Sequence, residues 1–497
     1  MAAGSTLVGL DAGLTSTKAV VIDGHGRVLG VAVRPAARNE GPGGWVERDL
    51  MEQWTSCCAV LREALGRAAV DADQVDGIGT TGHGDGLILI GDDGMPVRPG
   101  VLSLDSRSAA IVGGLERDGT AALIAAETSS PTNGRPITLL LWMLDNEAGS
   151  VRAARWVMFA KDWIKLRLTG RATTDFTDSS AGLLCHARPE YVESLLQRIG
   201  LGEIVGKLPE IVPSARLAGG VSAEAAQATG LRRGTPVASG SHDASASVVG
   251  AGAMAPGVVC LIAGTWSSDV RVAGHTGVST RAASQGVHGR WFIDGASTLL
   301  FSSSPSGIEL LNSLRAADAV PPTNEHDLLA RVVGEDAAGG AAPLLTVIPS
   351  VCGLGPSHRG GSVVLGLEAS HGPRQLGHAL AEAMAFRHRL GCELLGLDDP
   401  VAEVRVTGGL SQSDRWSQLL ADALGREVLR PRSREAAATG AAAMAGVAAG
   451  AWSSIDDASR AVGVAGATFS PRVSANNALD ERYRRYLAAL QRLASWC

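Results

Sequence analysis

Residues 8–23, VGLDAGLTSTKAVVID, place an acidic residue and a hydroxyl-rich turn between two apolar runs. The runs read as buried strands over residues 7–10 and 19–22, with Gly13 taking the turn that folds one onto the other. Asp11 closes the first strand, and Thr15, Ser16, Thr17 and Lys18 fill the connection. Such a turn offers backbone N–H groups, hydroxyls and one cation to a phosphate, and Asp11 offers a carboxylate to a hydrated metal ion. The pattern returns as LIAGTWSSDVRV, 251 positions on when Leu10 is set against Leu261. Ala12, Gly13 and Ser16 then fall on Ala263, Gly264 and Ser267, with Ser268 answering Thr17. A repeat at half the chain length points to two related domains, each with a phosphate-facing hairpin.

The length agrees, because 497 residues exceed what one core ordinarily serves. Hydrophobic residues make up 45% and charged residues 19%, the balance of a soluble globular chain. A net charge of –6 argues against a nucleic-acid or anionic-membrane partner. The seven cysteines are scattered without a CxxC pair, so neither a zinc site nor a disulfide framework is indicated. The N-terminus lacks the basic and apolar regions of a secretory signal, which makes the cytoplasm the expected location. The longest uncharged apolar run, residues 436–452, is mostly Ala and Gly and reads as a buried helix thin enough to pack against something flat.

Strand, helix and strand alternate along the first 100 residues, the mark of α/β layers. Asp49 is placed to cap a helix over residues 50–68, with Glu52 three residues on. DGIGTTG reads as a buried strand ending in HGDG, and residues 134–240 read as mainly helical. The strand over 236–240 ends at His242 and Asp243 and opens into a small-residue helix, so the division between domains falls within 244–256. The expected units are 1–246 and 247–497.

Residues at the C-terminal ends of strands in open α/β sheets face the ligand crevice, which singles out Asp11, Asp85 and Asp243. Asp243 begins a helix, so nearby N–H groups and the helix dipole are expected to keep it ionised and ready to accept a hydroxyl proton. The competing reading is a plain helix N-cap. Asp85, between Gly84 and Gly86, can accept from sugar hydroxyls or close an Asx turn, and His83 beside it can touch a ligand or be structural. Asp105 and Arg107 read as a cleft pair or a surface salt bridge. The turn TGGLSQS, residues 407–413, suits an approach by adenosine or phosphate. No P-loop, HExxH, GxSxG or GxGxxG fingerprint is present.

Ten segments stand in a fixed order: LDAGLTSTK, GGWVERD, IGTTGHGDGL, LSLDSRS, KDWIKLRLTG, TDFTDSSA, GTPVASGSHDASAS, AGTWSS, VTGGLSQSDRW and EAAATGAA. In that order the chain resembles an FGGY-family carbohydrate kinase, over residues 7–452. The resemblance implies an α/β fold of two duplicated actin/hexokinase-like (ribonuclease H-like) domains with a cleft between them. It implies ATP and Mg²⁺, with Asp243 as the general base and Asp11, together with Asp243, holding the metal. The turn Gly13, Thr15, Ser16 and Lys18, with Gly264 and Thr265, would cradle phosphates. Gly408, Gly409, Ser411, Gln412 and Ser413 would lie along the adenosine. His83, Asp85, Trp45 and Arg107, beside Asp243, would face the sugar, and the polar segments within residues 161–181 look like sugar-side elements.

Two departures bear on specificity. The family commonly carries Thr where Leu14 stands, and xylulokinases usually carry Asn where Ala244 stands, which argues against D-xylulose. AGTWSS and GASTLLFSSSPSGIELL look closest to the L-xylulose kinase branch, and HGDG resembles erythritol kinases. The expected reaction is phosphorylation of a terminal hydroxyl on a ketopentose such as L-xylulose, with a polyol such as erythritol, or D-xylulose, as alternatives. A non-catalytic sugar- and nucleotide-binding regulator and an actin- or chaperone-type machine are the readings of other classes. The expected partners are a small sugar or polyol and ATP, with a homodimer left open.

Overall fold

The computed structural model describes residues 4–130, 136–264, 267–275, 278, 283, 285–304, 345–349, 362–396 and 403–493. Thr265 and residues 305–311 of the L-xylulose-kinase-like stretch lie outside them. Two seven-stranded sheets dominate. Counting only their strands, the first contains β1 (Thr6–Ala12), β2 (Ser16–Asp23), β3 (Val28–Pro35), β4 (Gly77–Gly82), β5 (Leu217–Gly220), β6 (Pro236–Ala238) and β7 (Ser241–His242). The second contains β8 (Val258–Ala263), β9 (Ser267–Gly274), β10 (Val287–Trp291), β11 (Ser297–Ser304), β12 (Glu403–Thr407), β13 (Val428–Pro431) and β14 (Ala465–Phe469).

The first sheet runs β5-β6-β4-β1-β2-β3, with β7 pairing β4, and the second runs β10-β11-β9-β8-β12-β13-β14. Set β8 on β1 and the central orders coincide, β4-β1-β2-β3 with β12-β8-β9-β11, while at the far edge the chain order differs, β5 preceding β6 but β14 following β13. In both, the opening strand pairs antiparallel with the next and parallel with a later one. In both, the far edge strand is antiparallel to its neighbour. The half-length echo in the sequence is thus a repeated topology. The second sheet adds one strand, β10, outside the shared order.

Strand periodicity explains the layering. On β1, Val8 and Leu10 join a core with Trp54 and Leu61 of the helix Leu50–Ala68, which Asp49 caps by accepting from the N–H groups of Met51 and Glu52. Leu7 belongs to a second core, with Ala438 and Ala441 of the helix Ala436–Ala448 and Val258 of β8. That helix is buried, as its composition predicts, and it lies across β1, β4 and the helix Asp243–Gly250. A Cβ on Gly9 would lie 1.8 Å from Ala438 O, and one on Gly440 would lie 1.9 Å from Ala246 O. Only backbones without side chains approach so closely, so these layers meet along a stripe where a methyl group does not fit. The helix Asp243–Gly250 runs unbroken through residues 246 and 247. No helix among the described residues is long and apolar enough to cross a membrane.

Candidate active site

A cavity of about 700 Å³ opens between the two sheets. The first hairpin supplies Asp11, Gly13, Thr15, Ser16 and Lys18 to its wall, and the second supplies Gly264 and Ser268. Asp11 is buried, and its Oδ1 has no hydrogen-bond partner. Burial pushes its carboxyl up to about 6; Lys18 opposes the shift and Glu435 adds to it. Burial works against the Lys18 ammonium, but the Glu435 and Asp11 carboxylates outweigh it and raise its pKa. Lys18 Nζ stands 2.6 Å from Glu435 Oε2, a partner 417 positions away that no sequence pattern announces.

Asp243 is the first residue of its helix, and the cap falls to His242, whose Nδ1 accepts from Ala244 N–H at 3.2 Å. The N-cap reading of Asp243 is therefore replaced. Its side chain keeps 39% exposure and lines the cavity. The expectation that local dipoles keep it ionised is corrected. Burial first and the Asp11 charge second raise its pKa to about 7, against the Ala244 N–H. Two carboxylates, one with an orphaned buried oxygen, suit Mg²⁺, which uses one or two carboxylates and keeps its waters. No cluster of three or more metal-binding side chains occurs among the described residues.

His83 and Asp85 reach the same cavity from the turn after β4. Burial, aided by the Arg48 charge, drives the His83 pKa down to about 3, so its imidazole is neutral. Asp85 adopts φ 62°, a left-handed conformation unusual for a residue with a side chain, and strain of this kind gathers at functional sites. Its Oδ1 accepts from Arg290 Nη2 at 2.6 Å. Arg290 lies on β10, the strand outside the shared topology, and its guanidinium packs 5.2 Å from the Phe301 ring centre. Its Nε and Nη1 are buried without partners. β10 docks on the first half through Trp291, whose N–H donates to Ser180 Oγ and whose Nε1 donates to Cys185 O. The Asp85 side of the cavity is thus built from both halves. Sequence reasoning missed Arg290, since nothing near it forms a motif.

The N-terminal domain model of the FGGY family of carbohydrate kinases matches residues 6–250, and the C-terminal domain model matches residues 260–449. The chain belongs to this family. The kinase is 30% identical over 490 residues to an L-xylulose/3-keto-L-gulonate kinase of Escherichia coli K12, covering 97% of both chains. It is 29% identical over 515 residues to a glycerol kinase of Alkalilimnicola ehrlichii, covering 99% of this chain and 98% of that one. The crystal structure of a xylulose kinase from Rhodospirillum rubrum superposes with a TM-score of 0.81 at 26% identity, over 99% of each chain. The kinase is accordingly a phosphotransferase acting on a sugar with ATP as the phosphoryl donor, and it has the actin-like two-domain fold.

Not every residue singled out in the sequence lines the cavity of the kinase. Gly408, Gly409 and Gln412 do. Gly408 needs its φ of 94° and its missing side chain, because a Cβ there would lie 2.4 Å from Ala263 O of β8. Ser411 instead donates to Gly408 O at 2.7 Å, and Ser413 caps the helix Asp414–Leu424. Arg107 is held by Asp105 and Glu47, with the ring centres of Trp45 and Trp142, packed edge to face on each other, 4.4 and 5.1 Å from its guanidinium. This cluster is apart from the cavity wall, so the structure does not bring Trp45 or Arg107 to the other candidates.

The polar segments within 161–181 fold into one buried charge cluster. Lys161 Nζ meets Asp162 at 2.6 Å, Asp175 at 2.9 Å and Asp178 at 3.1 Å, and Lys165 Nζ meets Asp162 at 3.1 Å. Thr177 Oγ1 donates to Asp175 and accepts from His242 N–H at 2.8 Å. The cluster therefore lies behind the turn that presents Asp243, supporting it from outside the cavity wall.

Proposed function

We propose that this kinase transfers the terminal phosphoryl group of ATP to a terminal primary hydroxyl of a ketopentose such as L-xylulose. The reading is carried by Asp243, a carboxylate of near-neutral pKa in one cavity with both hairpin turns and the Asp85–Arg290 pair. Asp243 acts as the general base, and in phosphoryl transfer its placement counts for more than its strength. Asp11, with Asp243, holds Mg²⁺, which when bound neutralises charge on the transferring phosphoryl group. The turn Gly13, Thr15, Ser16 and Lys18, with Gly264 and Thr265 of the second hairpin, cradles the phosphates, and Gly408, Gly409 and Gln412 lie along the adenosine. His83 and Asp85 read sugar hydroxyls. Arg290, fixed by Asp85, completes the acceptor site from the other half and ties sugar binding to closure of the cleft, which excludes water.

The halves are 1–246 and 247–497, with the crossing inside 244–256, and the enzyme works in the cytoplasm. L-xylulose is supported by the names of relatives from Escherichia coli and Pasteurella multocida and by Ala244 in place of the xylulokinase Asn. A sugar acid is a second reading, favoured by the two unpartnered nitrogens of Arg290 and by the 3-keto-L-gulonate in the E. coli relative's name. A coupled ADP-release assay across L-xylulose, D-xylulose, erythritol, glycerol and 3-keto-L-gulonate decides. Turnover strongest on L-xylulose is expected; turnover only on glycerol or only on the acid overturns the ketopentose.

A further inference from the structure

Arg48 ends the short strand Trp45–Arg48 and is 3% exposed, yet none of its bonds goes to a carboxylate. Nε donates to Ala37 O at 3.0 Å, Nη1 to Gly13 O at 2.9 Å and Nη2 to Leu14 O at 2.5 Å. Burial lowers its pKa only to about 10, so it is a buried cation at neutral pH. Burying such a charge without a counter-ion is expensive and needs a compensating return.

That return lies on the far side of the turn. In a trans peptide the C=O of one residue and the N–H of the next point in opposite directions. With the Gly13 and Leu14 carbonyls drawn back onto one guanidinium, the N–H groups of Leu14 and Thr15 face the other way. Gly13, Leu14 and Thr15 line the cavity, and neither amide donates to any described residue. Two successive free amides in a turn form a concave anion seat, here with a positive charge directly behind it. Because the seat is made of backbone, it is indifferent to the side chain at position 14, so Leu14 in place of a hydroxyl costs it nothing.

We propose that Arg48 is the positioning residue of the phosphate turn, its fork fixing the Gly13 and Leu14 peptides so that the Leu14 and Thr15 amides meet the terminal phosphates of the nucleotide. The proposal rests on the reading of this turn as the phosphate site. It is tested by calorimetric binding of ADP and of AMP to the whole protein carrying Arg48→Met, alongside KM for ATP and for sugar. ADP binding is expected to weaken about ten- to a hundredfold, the loss of hydrogen bonds from a charged group, with AMP binding and sugar KM changed less than about twofold. Equal weakening of AMP and ADP, or unchanged ADP binding, overturns it. Should Arg48→Met fail to fold, Arg48→Lys keeps the charge without the fork. It is then expected to weaken ADP severalfold and to spare AMP, and unchanged ADP binding again overturns the proposal. Selective loss of ADP binding in a protein that phosphorylates no sugar would leave Arg48 standing and remove the sugar assignment instead.

Discussion

The two hairpins share a topology and divide the chemistry. In the first, Asp11 stands next to last on β1, and Lys18 of β2 faces the cavity beside Glu435. At the equivalent places in the second, 251 positions on, stand Ile262 and Asp269. Asp269 is buried against the helix Pro373–Leu394, its Oδ1 accepting a hydrogen bond from His388 Nδ1 at 2.5 Å. Gly391 leaves it room, since a Cβ there would lie 1.8 Å from Asp269 Oδ2. One copy keeps an orphaned carboxylate for a ligand, while the other satisfies its carboxylate internally and offers the cleft backbone and hydroxyls. A duplicated fold supplies two similar turns, and the buried charges around each decide which can do acid–base or metal work.

That division can be broken by experiment. The largest effect is expected at Asp243, which the helix between the hairpins presents: Asp243→Asn should keep the fold and ATP binding while ADP release falls about a thousandfold or more. Near-normal turnover would remove Asp243 as the base. Next comes Asp11→Asn, expected to lower kcat about a hundredfold and to raise the Mg²⁺ needed for half-maximal rate. An unchanged Mg²⁺ titration would count against the metal role. Asp269→Ala, at the place that Lys18 holds in the first hairpin, should leave kcat within about twofold but cost about 3 kcal/mol of stability by stranding His388. If this variant folds and loses catalysis as Asp11→Asn does, the two hairpins do not divide the work.

The smallest effect is a pH dependence of stability. Asp11 and Asp243 have folded pKa values of about 6 and 7, above the 3.8 of an unperturbed Asp. The folded protein therefore holds protons that the unfolded chain has released, and stability from these groups is complete below the unfolded pKa. It is lost as pH rises through 6 and 7. Denaturant midpoints of the ligand-free protein should fall across that window, and less steeply in Asp243→Asn. Identical slopes in the two proteins would show that Asp243 titrates alike folded and unfolded.

Much of this was legible before any coordinates. The hairpin over residues 8–23, its echo, the strand ending at Asp243 and the Gly-rich turn at 407–413 are local patterns, written in neighbours and periodicity. Asp49 capping its helix is of the same kind. Other features had no local signature. Arg290 meets Asp85 across 205 positions, and the Lys161 cluster reads along the chain as two separate polar islands. Trp45 and Arg107 show the opposite failure, since their motifs fit the family order while their side chains engage one another away from the cavity.

The sequence by itself determined the class of fold, its duplication and which carboxylates end the strands, because turns and apolar periodicity act over a few residues. Tertiary structure alone decided the electrical state of those carboxylates. Asp243 reads in sequence as an ionised helix-terminal acid, and becomes a group of near-neutral pKa only when burial and Asp11 are brought around it. It also decided which cations reach the cleft. Lys18 is bridged to Glu435, Arg290 arrives on β10, which has no counterpart in the first sheet, and Arg48 faces the back of the turn. Charge interactions depend on distance and dielectric, and both are set by how distant segments pack.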